Sequence, residues 1–432
     1  MVDNLTVFER KLFFIIGLTC TWNALIIGGL SFYNYLVIVW IFYKIITTGK
    51  TIKIYKTSYA STIVLFFLLS IFMSIIVAYV KLPSSWANNS VKNAIKYIMV
   101  FGMIFLLNKQ KEIIEIREIL FNGVYVGAIV QMIWGYIQFI AFSFAKIKIN
   151  TLIFGELLGI KETSGSKIVW DSYVGGLNGA ILRMKGIGWE TANFALVLII
   201  GYILSIEKKK SKSIQILFII AILLSTSRSG WFALACVFGF KIMRFLTSRK
   251  KKIQLNGKII LSILLVVAML IFIYVFMGNH IYTYILSMFN NMASAFDKSN
   301  MDISSSLHRS YYEYIIQIIK MSSLLSLLFG YGYFSAGYVA SLNIPSFYSG
   351  IKNVGWNPES DFITLILGNG LFGTIIYYYS MIKALIYHYK DSYALILVAI
   401  IAEGITYLTI RGTWSLLLVI FIMADIPVLK RR

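Results

Sequence analysis

Charge, proline, cysteine and histidine are all scarce in this chain of 432 residues, and each scarcity excludes a class of protein. Only 13% of the residues are charged against 59% hydrophobic, a balance that no soluble chain of this length can bury in one or two cores. Four prolines leave most apolar runs free to stay helical. Two cysteines and three histidines are too few for a zinc-type cluster, so no metal site is expected. Cys20 and Cys236 fall inside apolar runs, where they act as small hydrophobes.

Apolar runs recur from Leu12 to Leu429 at the length of about 20 residues that a bilayer demands. The expected fold class is all-α: a polytopic integral membrane protein of about twelve transmembrane helices, forming a single membrane domain over 1–432. The spans read as 12–29, 33–46, 58–80, 94–107, 119–143, 189–206, 214–227, 229–245, 259–277, 362–386, 393–409 and 413–428. No small-residue cleavage site follows the first run, which is therefore expected to be a retained span rather than a removed signal.

The net charge of +22 would suggest nucleic acid in a soluble protein. Here the basic residues cluster in short loops between spans: Lys50, Lys53 and Lys56; Lys109, Lys111 and Arg117; Lys208 to Lys210 with Lys212; Arg249 to Lys252; Lys430 to Arg432. The positive-inside rule puts these loops and both termini in the cytoplasm, and no nucleic-acid partner is expected. The run 214–227 is short for a crossing, yet two crossings between Lys212 and Arg249 keep both clusters on one side. The turn between them is then recessed into the outer membrane face. Two outer loops are long, 144–188 and 278–361, the larger falling between spans nine and ten.

Candidate chemistry gathers on the outer side. Ser225-Thr226-Ser227-Arg228-Ser229-Gly230-Trp231 is the recessed turn, with a guanidinium among hydroxyls at a helix N-terminus. That suits phosphate, which an Arg fork contacts bidentately; the plain alternative is an Arg snorkelling to the interface. Arg309 follows the run Ser304-Ser305-Ser306 in a first helical turn, where a cation is disfavoured unless an anion is near. A pair with Glu313 explains it equally well. Arg183, in Leu182-Arg183-Met184-Lys185-Gly186, could contact phosphate or sugar, or decorate an interface. Asn357-Pro358-Glu359-Ser360-Asp361 reads by default as a helix start, and alternatively as a carboxylate at a cavity mouth. His280 and His308 are rival bases. The spans carry few charged residues at depth; Glu403, in the eleventh span, is the main exception and reads as a packing or relay residue.

These segments resemble the O-antigen polymerase/ligase superfamily (the Wzy/WaaL type). The resemblance rests on Arg183-Met184-Lys185-Gly186 leading to Asn193-Phe194-Ala195, and on Ser227-Arg228-Ser229-Gly230 between two spans. It continues through Arg309 at the head of a helix running to Phe329-Gly330-Tyr331-Gly332, and ends in Gly370-Leu371-Phe372-Gly373. It covers roughly 180–390. It implies an undecaprenyl-diphosphate-linked oligosaccharide donor and glycosyl transfer without metal or other cofactor, on the outer face of the bacterial inner (cytoplasmic) membrane. Arg228 and Arg309 match the family's two diphosphate-binding arginines, and Arg183 a further basic position. Glu359, Asp361 and His308 are the candidate bases. Ligases carry a histidine near the end of the large loop where this chain has Glu359-Ser360-Asp361, which favours a repeat-unit polymerase making O-antigen or capsular polysaccharide. A chain-length regulator and a flippase are the partners such a role implies, and Tyr311, Tyr348 and Trp356 are candidate sugar platforms. An O-antigen ligase, or a lipid-linked glycan flippase or transporter, is the alternative function. Twelve spans suit a transporter too, although the dominant loop is late and external rather than central.

Overall fold

The computed structural model describes residues 5–22, 26–27, 30–48, 59–107, 110–158, 171–174, 181–188, 190–248, 319–320, 322–333, 335, 339, 360–424 and 426. The chain divides into two compact units, residues 1–238 with 314–432, and residues 239–313. In the second unit the described residues are 239–248, the end of one helix. All other statements below concern the first.

Helices dominate. In chain order they are α1 (Val7–Cys20), α2 (Phe32–Thr48), α3 (Tyr59–Lys81), α4 (Ser84–Leu106), α5 (Gln110–Ala145) and α6 (Thr191–Glu207). They continue with α7 (Lys212–Leu224), α8 (Arg228–Ser248), α9 (Leu324–Phe329), α10 (Asp361–Tyr387), α11 (Ser392–Thr406) and α12 (Trp414–Met423). Two small antiparallel hairpins interrupt them, β1 (Ile26–Ile27) with β2 (Leu30–Ser31), and β3 (Ser172–Val174) with β4 (Ile181–Arg183). Among the described residues four helices are long and apolar enough to cross a membrane: α3, Glu112–Ala145 of α5, Arg228–Thr247 of α8, and α10. Shorter apolar helices are Phe32–Thr47, α6, α7, α11 and α12. This is a membrane protein of the all-α class.

Against the twelve spans expected, four described helices have spanning length, and one expected run is not a single helix. The run 12–29 does not form a single helix: α1 starts at Val7 and stops at Cys20, and apolar residues beyond it enter the β1–β2 hairpin. The early start has a local cause, a capping box in which Thr6 Oγ1 accepts from the Glu9 N–H at 3.2 Å while Glu9 Oε2 accepts from the Thr6 N–H at 3.1 Å. The expected span 259–277 lies outside the described residues, as does most of the large loop 278–361.

Close packing of α1 on α5 rests on missing side chains. A Cβ on Gly17 would stand 2.1 Å from the Leu120 carbonyl oxygen, and one on Gly123 would stand 2.2 Å from that of Phe14. Small residues let helix backbones approach where dispersion, not water exclusion, drives association. At the entrance to this pair Lys44 of α2 bridges two acids, Glu9 Oε1 at 3.1 Å and Glu112 Oε1 at 2.5 Å, with all three side chains nearly buried.

A second joint uses backbone alone. Gly330, at φ 78°, ends α9 and lies against α10, where a Cβ would meet the Gly368 carbonyl at 2.3 Å. Opposite it α10 is kinked at Gly370, φ 66° and ψ −169°. The Tyr331 N–H donates to the Leu367 carbonyl at 2.8 Å and the Gly332 N–H to that of Gly368 at 3.1 Å. Phe329 and Phe372 stack edge to face across the joint at 5.9 Å. The Phe329–Gly332 and Gly370–Gly373 motifs therefore meet as one structural joint.

Three outcomes follow from this packing. Gly123→Ala drives a methyl into backbone and is expected to lower the thermal midpoint in detergent by the equivalent of about 1–3 kcal/mol. Gly102→Ala, where nothing stands within 4 Å of the new Cβ, leaves the midpoint unchanged or slightly raised. Lys44→Met strands two buried carboxylates and is expected to cost about 3–5 kcal/mol in the same assay; a midpoint equal to that of the unmodified protein would show the triad to be neutral.

Candidate functional site

The turn between α7 and α8 is assembled from its own hydroxyls. Ser225 ends α7, donating its Oγ–H to the Ile222 carbonyl at 2.6 Å, and Thr226 then takes a left-handed conformation at φ 52°. A left-handed non-glycine residue costs about 1–2 kcal/mol, so the surroundings must hold it. Ser227 caps α8: its Oγ accepts from the Gly230 N–H at 3.2 Å and its carbonyl from the Trp231 N–H at 2.9 Å. Trp231 Nε1 donates back to the Ile222 carbonyl at 3.2 Å, locking the two helices at the corner. Gly230 permits the turn to seat on α6, since a Cβ there would lie 2.3 Å from that of Ala195.

Arg183 and Arg228 come together on this turn. Arg183, the last residue of β4, donates from Nε to Thr226 Oγ1 at 2.7 Å and from Nη2 to the Thr226 carbonyl at 3.0 Å. The next residue joins as well, the Met184 N–H donating to the Leu224 carbonyl at 3.2 Å. The Arg183 fork thus braces the strained Thr226. Two residues on, Arg228 opens α8 and is exposed. A cation in that position opposes the helix dipole and favours an anion beside it.

The strap 184–188 that carries Arg183 is fixed from α5. Gln138 Oε1 accepts from the Gly186 N–H at 2.8 Å and Gln131 Oε1 from the Ile187 N–H at 2.6 Å. Asn150 Nδ2 donates to the Gly186 carbonyl at 2.8 Å. These side chains are buried, and their amides supply the partners that an irregular backbone needs away from water.

Beneath the turn lie two carboxylates with different surroundings. Ser229 donates its Oγ–H to Glu403 Oε1 at 2.7 Å, and Ser227 Oγ is 3.0 Å from Ser229 Oγ. With the Ser229 proton committed to the carboxylate, Ser227 donates to Ser229 and accepts from Gly230, so the chain of hydroxyls runs one way toward Glu403. Glu403, in the last turn of α11, is fully buried, and its Oε2 has no hydrogen-bond partner among the described residues. Asp361, the first residue of α10, has both oxygens engaged: Thr409 Oγ1 donates to Oδ2 and the Ile410 N–H to Oδ1 at 3.1 Å. A Cβ on Gly404 would stand 2.5 Å from Asp361 Oδ2, so only glycine lets this carboxylate in beside Glu403. Asp361 therefore clamps the break between α11 and α12. Tyr97 Oη donates to the Ile410 carbonyl at 2.5 Å on the same break, and Asn193 Nδ2 of α6 to Tyr407 Oη at 2.8 Å.

Of the residues singled out in the sequence, Arg183 and Arg228 share one turn, and Asp361 lies one residue's reach from Glu403. Arg309, His308, His280, Glu359, Tyr311, Tyr348 and Trp356 lie outside the described residues. Glu403 was visible only as a charge within an apolar run; its bond to Ser229 crosses 174 positions of sequence and has no local signal.

No curated protein and no solved structure matches the chain. Residues 214–378, from α7 into α10, match the family model described as O-antigen ligase. That stretch includes the Arg228 turn, the α9–α10 joint and Asp361. Over these residues the chain is similar to the O-antigen polymerase/ligase superfamily, and the match together with the apolar helices supports a multi-pass membrane protein.

Proposed function

We propose that this protein is a repeat-unit polymerase, which transfers a growing glycan from undecaprenyl diphosphate to the next lipid-linked repeat unit on the outer face of the cytoplasmic membrane. The product in this reading is O-antigen or capsular polysaccharide. Twelve crossings with both termini in the cytoplasm belong to the same reading, as do a flippase that delivers the units and a chain-length regulator. The observation that carries it is the convergence of Arg183 and Arg228 on the Ser225–Gly230 turn, which opens a helix and lies, with Arg228, within the family match.

Diphosphate is a good leaving group, so catalysis needs charge stabilisation and positioning. Arg228, with Arg309, stabilises charge as the glycosidic C–O bond to the diphosphate breaks. Arg183 acts by holding Thr226, and so the angle at which α8 presents Arg228. Glu403 does the same from below through Ser229. Glu359 or His308 takes the proton from the attacking sugar hydroxyl, and attack opposite the departing diphosphate inverts the anomeric carbon. Asp361, the third candidate base, has both its oxygens occupied by Thr409 and Ile410 and serves this reading better as the clamp.

Purified protein in detergent, given radiolabelled undecaprenyl-diphosphate repeat units, is expected to make a ladder of chain lengths. Single transfer to a lipid A-type acceptor without a ladder would instead identify a ligase. Arg228→Ala is expected to slow polymer formation roughly 10²–10³-fold at an unchanged thermal midpoint. A full ladder from that variant would remove the phosphate role. Asp361→Asn separates clamp from base: as a clamp it lowers the midpoint, whereas Glu359→Gln or His308→Ala lowers turnover with the midpoint unmoved. Turnover lost in Asp361→Asn at a normal midpoint would restore it as the base.

A further inference from the structure

At the other end of the helices from the Arg228 turn lies a cavity of about 890 Å³, lined by Arg10, Lys11, Phe14 and Ile15 of α1, Ile119, Asn122, Tyr125 and Val126 of α5, and Lys208 and Lys210 after α6. We infer that this cavity binds an anionic phospholipid, its phosphate held among Lys11, Lys208 and Lys210 and the start of an acyl chain laid along α1 and α5. The site is distinct from the proposed catalytic one. Asn193 and Lys208 stand at opposite ends of α6, whose 17 residues span about 25 Å.

Three observations carry the inference. The first is sign: of ten lining residues four are basic and none is acidic, and although Glu115 pairs with Arg10 at 2.7 Å, three lysines remain to face an anion. Basic pockets between membrane helices recognise lipid headgroups in this way. Lys208 is further positioned by Asn122 Oδ1, which accepts from its Nζ, and lies 5.9 Å from the Tyr125 ring centroid. The second is a built turn. Lys209 adopts φ 50°, the Lys210 N–H donates to the Ser205 carbonyl at 2.9 Å and the Lys209 N–H to that of Ile206 at 3.0 Å. Gln215 Nε2 holds the Lys210 carbonyl at 3.2 Å. This is a helix end that glycine ordinarily makes, built here in lysine.

The third is an orphan. Tyr125 is 6% exposed, lines the cavity, and its hydroxyl has no hydrogen-bond partner among the described residues. A buried hydroxyl without a partner costs about 1–3 kcal/mol, which a phosphate or ester oxygen in the cavity would recover once the Tyr125 side chain turns its hydroxyl toward it. Helix-end lysines suited to the dipole explain Lys208 and Lys210 but not this hydroxyl. The half-exposed walls Phe14, Ile119 and Val126 and the exposed Ile15 make the ligand a lipid rather than a free anion. From Ile119 to Val126 they run about 10 Å along α5, room for the first carbons of a chain.

Native mass spectrometry and thermal melts in detergent with phosphatidylglycerol, phosphatidylcholine or inorganic phosphate test this on the full chain. The unmodified protein is expected to retain phosphatidylglycerol over phosphatidylcholine and to melt higher with it, while inorganic phosphate gives no comparable shift. Lys208→Gln with Lys210→Gln is expected to cut the preference roughly 30-fold, at about fivefold per basic residue. Tyr125→Phe removes one oxygen only and is expected to weaken retention several-fold, with a melt in phosphatidylcholine equal to or above that of the unmodified protein because an unpartnered buried hydroxyl is gone. Equal retention of the two lipids, a phosphate shift equal to that of the lipid, or an undiminished preference in both variants would each overturn the inference.

Discussion

A polar turn among apolar helices must find its hydrogen-bond partners within the protein, and the rest of this site depends on how the Ser225–Gly230 turn does so. Its backbone is strained at Thr226, and two groups from distant segments hold it: Arg183 from above and Glu403, through Ser229, from below. Neither contact is decorative. Without the Arg183 fork the left-handed residue would be held by little more than its own loop. Without Glu403 the hydroxyl chain from Gly230 through Ser227 and Ser229 would lose its terminal acceptor, and with it a single orientation. The direction in which α8 projects Arg228 follows from these two contacts.

The bundle breaks its helices twice more near this end, and by contrasting devices. The α9–α10 joint removes side chains, so that Gly330 and Gly370 bring backbone against backbone and the Tyr331 and Gly332 N–H groups pair across it. The α11–α12 break adds a side chain, as Asp361 accepts from Thr409 and Ile410. Both satisfy the same rule, that non-helical backbone at membrane depth is tolerated only where protein supplies its partners. The two devices converge on α10, which supplies the kink for one and the carboxylate for the other. A shift of α10 would therefore disturb both breaks together.

Hydropathy made most of this architecture legible, because a helix buried in lipid announces itself by length and by the absence of charge. It failed at 12–29, where apolar content continued past Cys20 although the chain turned into a hairpin. Composition cannot separate a short buried strand from a helix end. The capping box at Thr6 and Glu9 was present in the sequence, but inside a charged stretch that hydropathy discards. In the site, Arg183 and Arg228 were legible as basic residues in costly places, whereas the role of Asp361 was not. Its sequence reads as a helix start, and only contact with Thr409, 48 positions away, shows what its oxygens hold. Glu403 was visible as an anomaly and nothing more, because hydrogen bonds between distant helices leave no periodicity.

Length gives the turn its electrostatic character. Thirteen residues of α7 rise about 20 Å, against an apolar bilayer core of about 30 Å. Lys212 begins this helix beside Lys208 to Lys210, and ammonium groups prefer water. With that end at the interface, the Ser225–Gly230 turn falls about 10 Å short of the opposite one. Tilting α7 shortens its reach further. If α7 crosses as expected, the guanidinium at the head of α8, exposed from the protein itself, would open into a recess of the membrane face, where an interaction between unit charges strengthens severalfold as the effective dielectric constant falls from about 80 toward 20. In the proposed function, a surface arginine would hold a diphosphate weakly and lose it to salt, whereas one in a recess backed by a fixed turn would hold it more strongly. The shortness of α7, which made its assignment as a crossing awkward, is what gives Arg228 this setting.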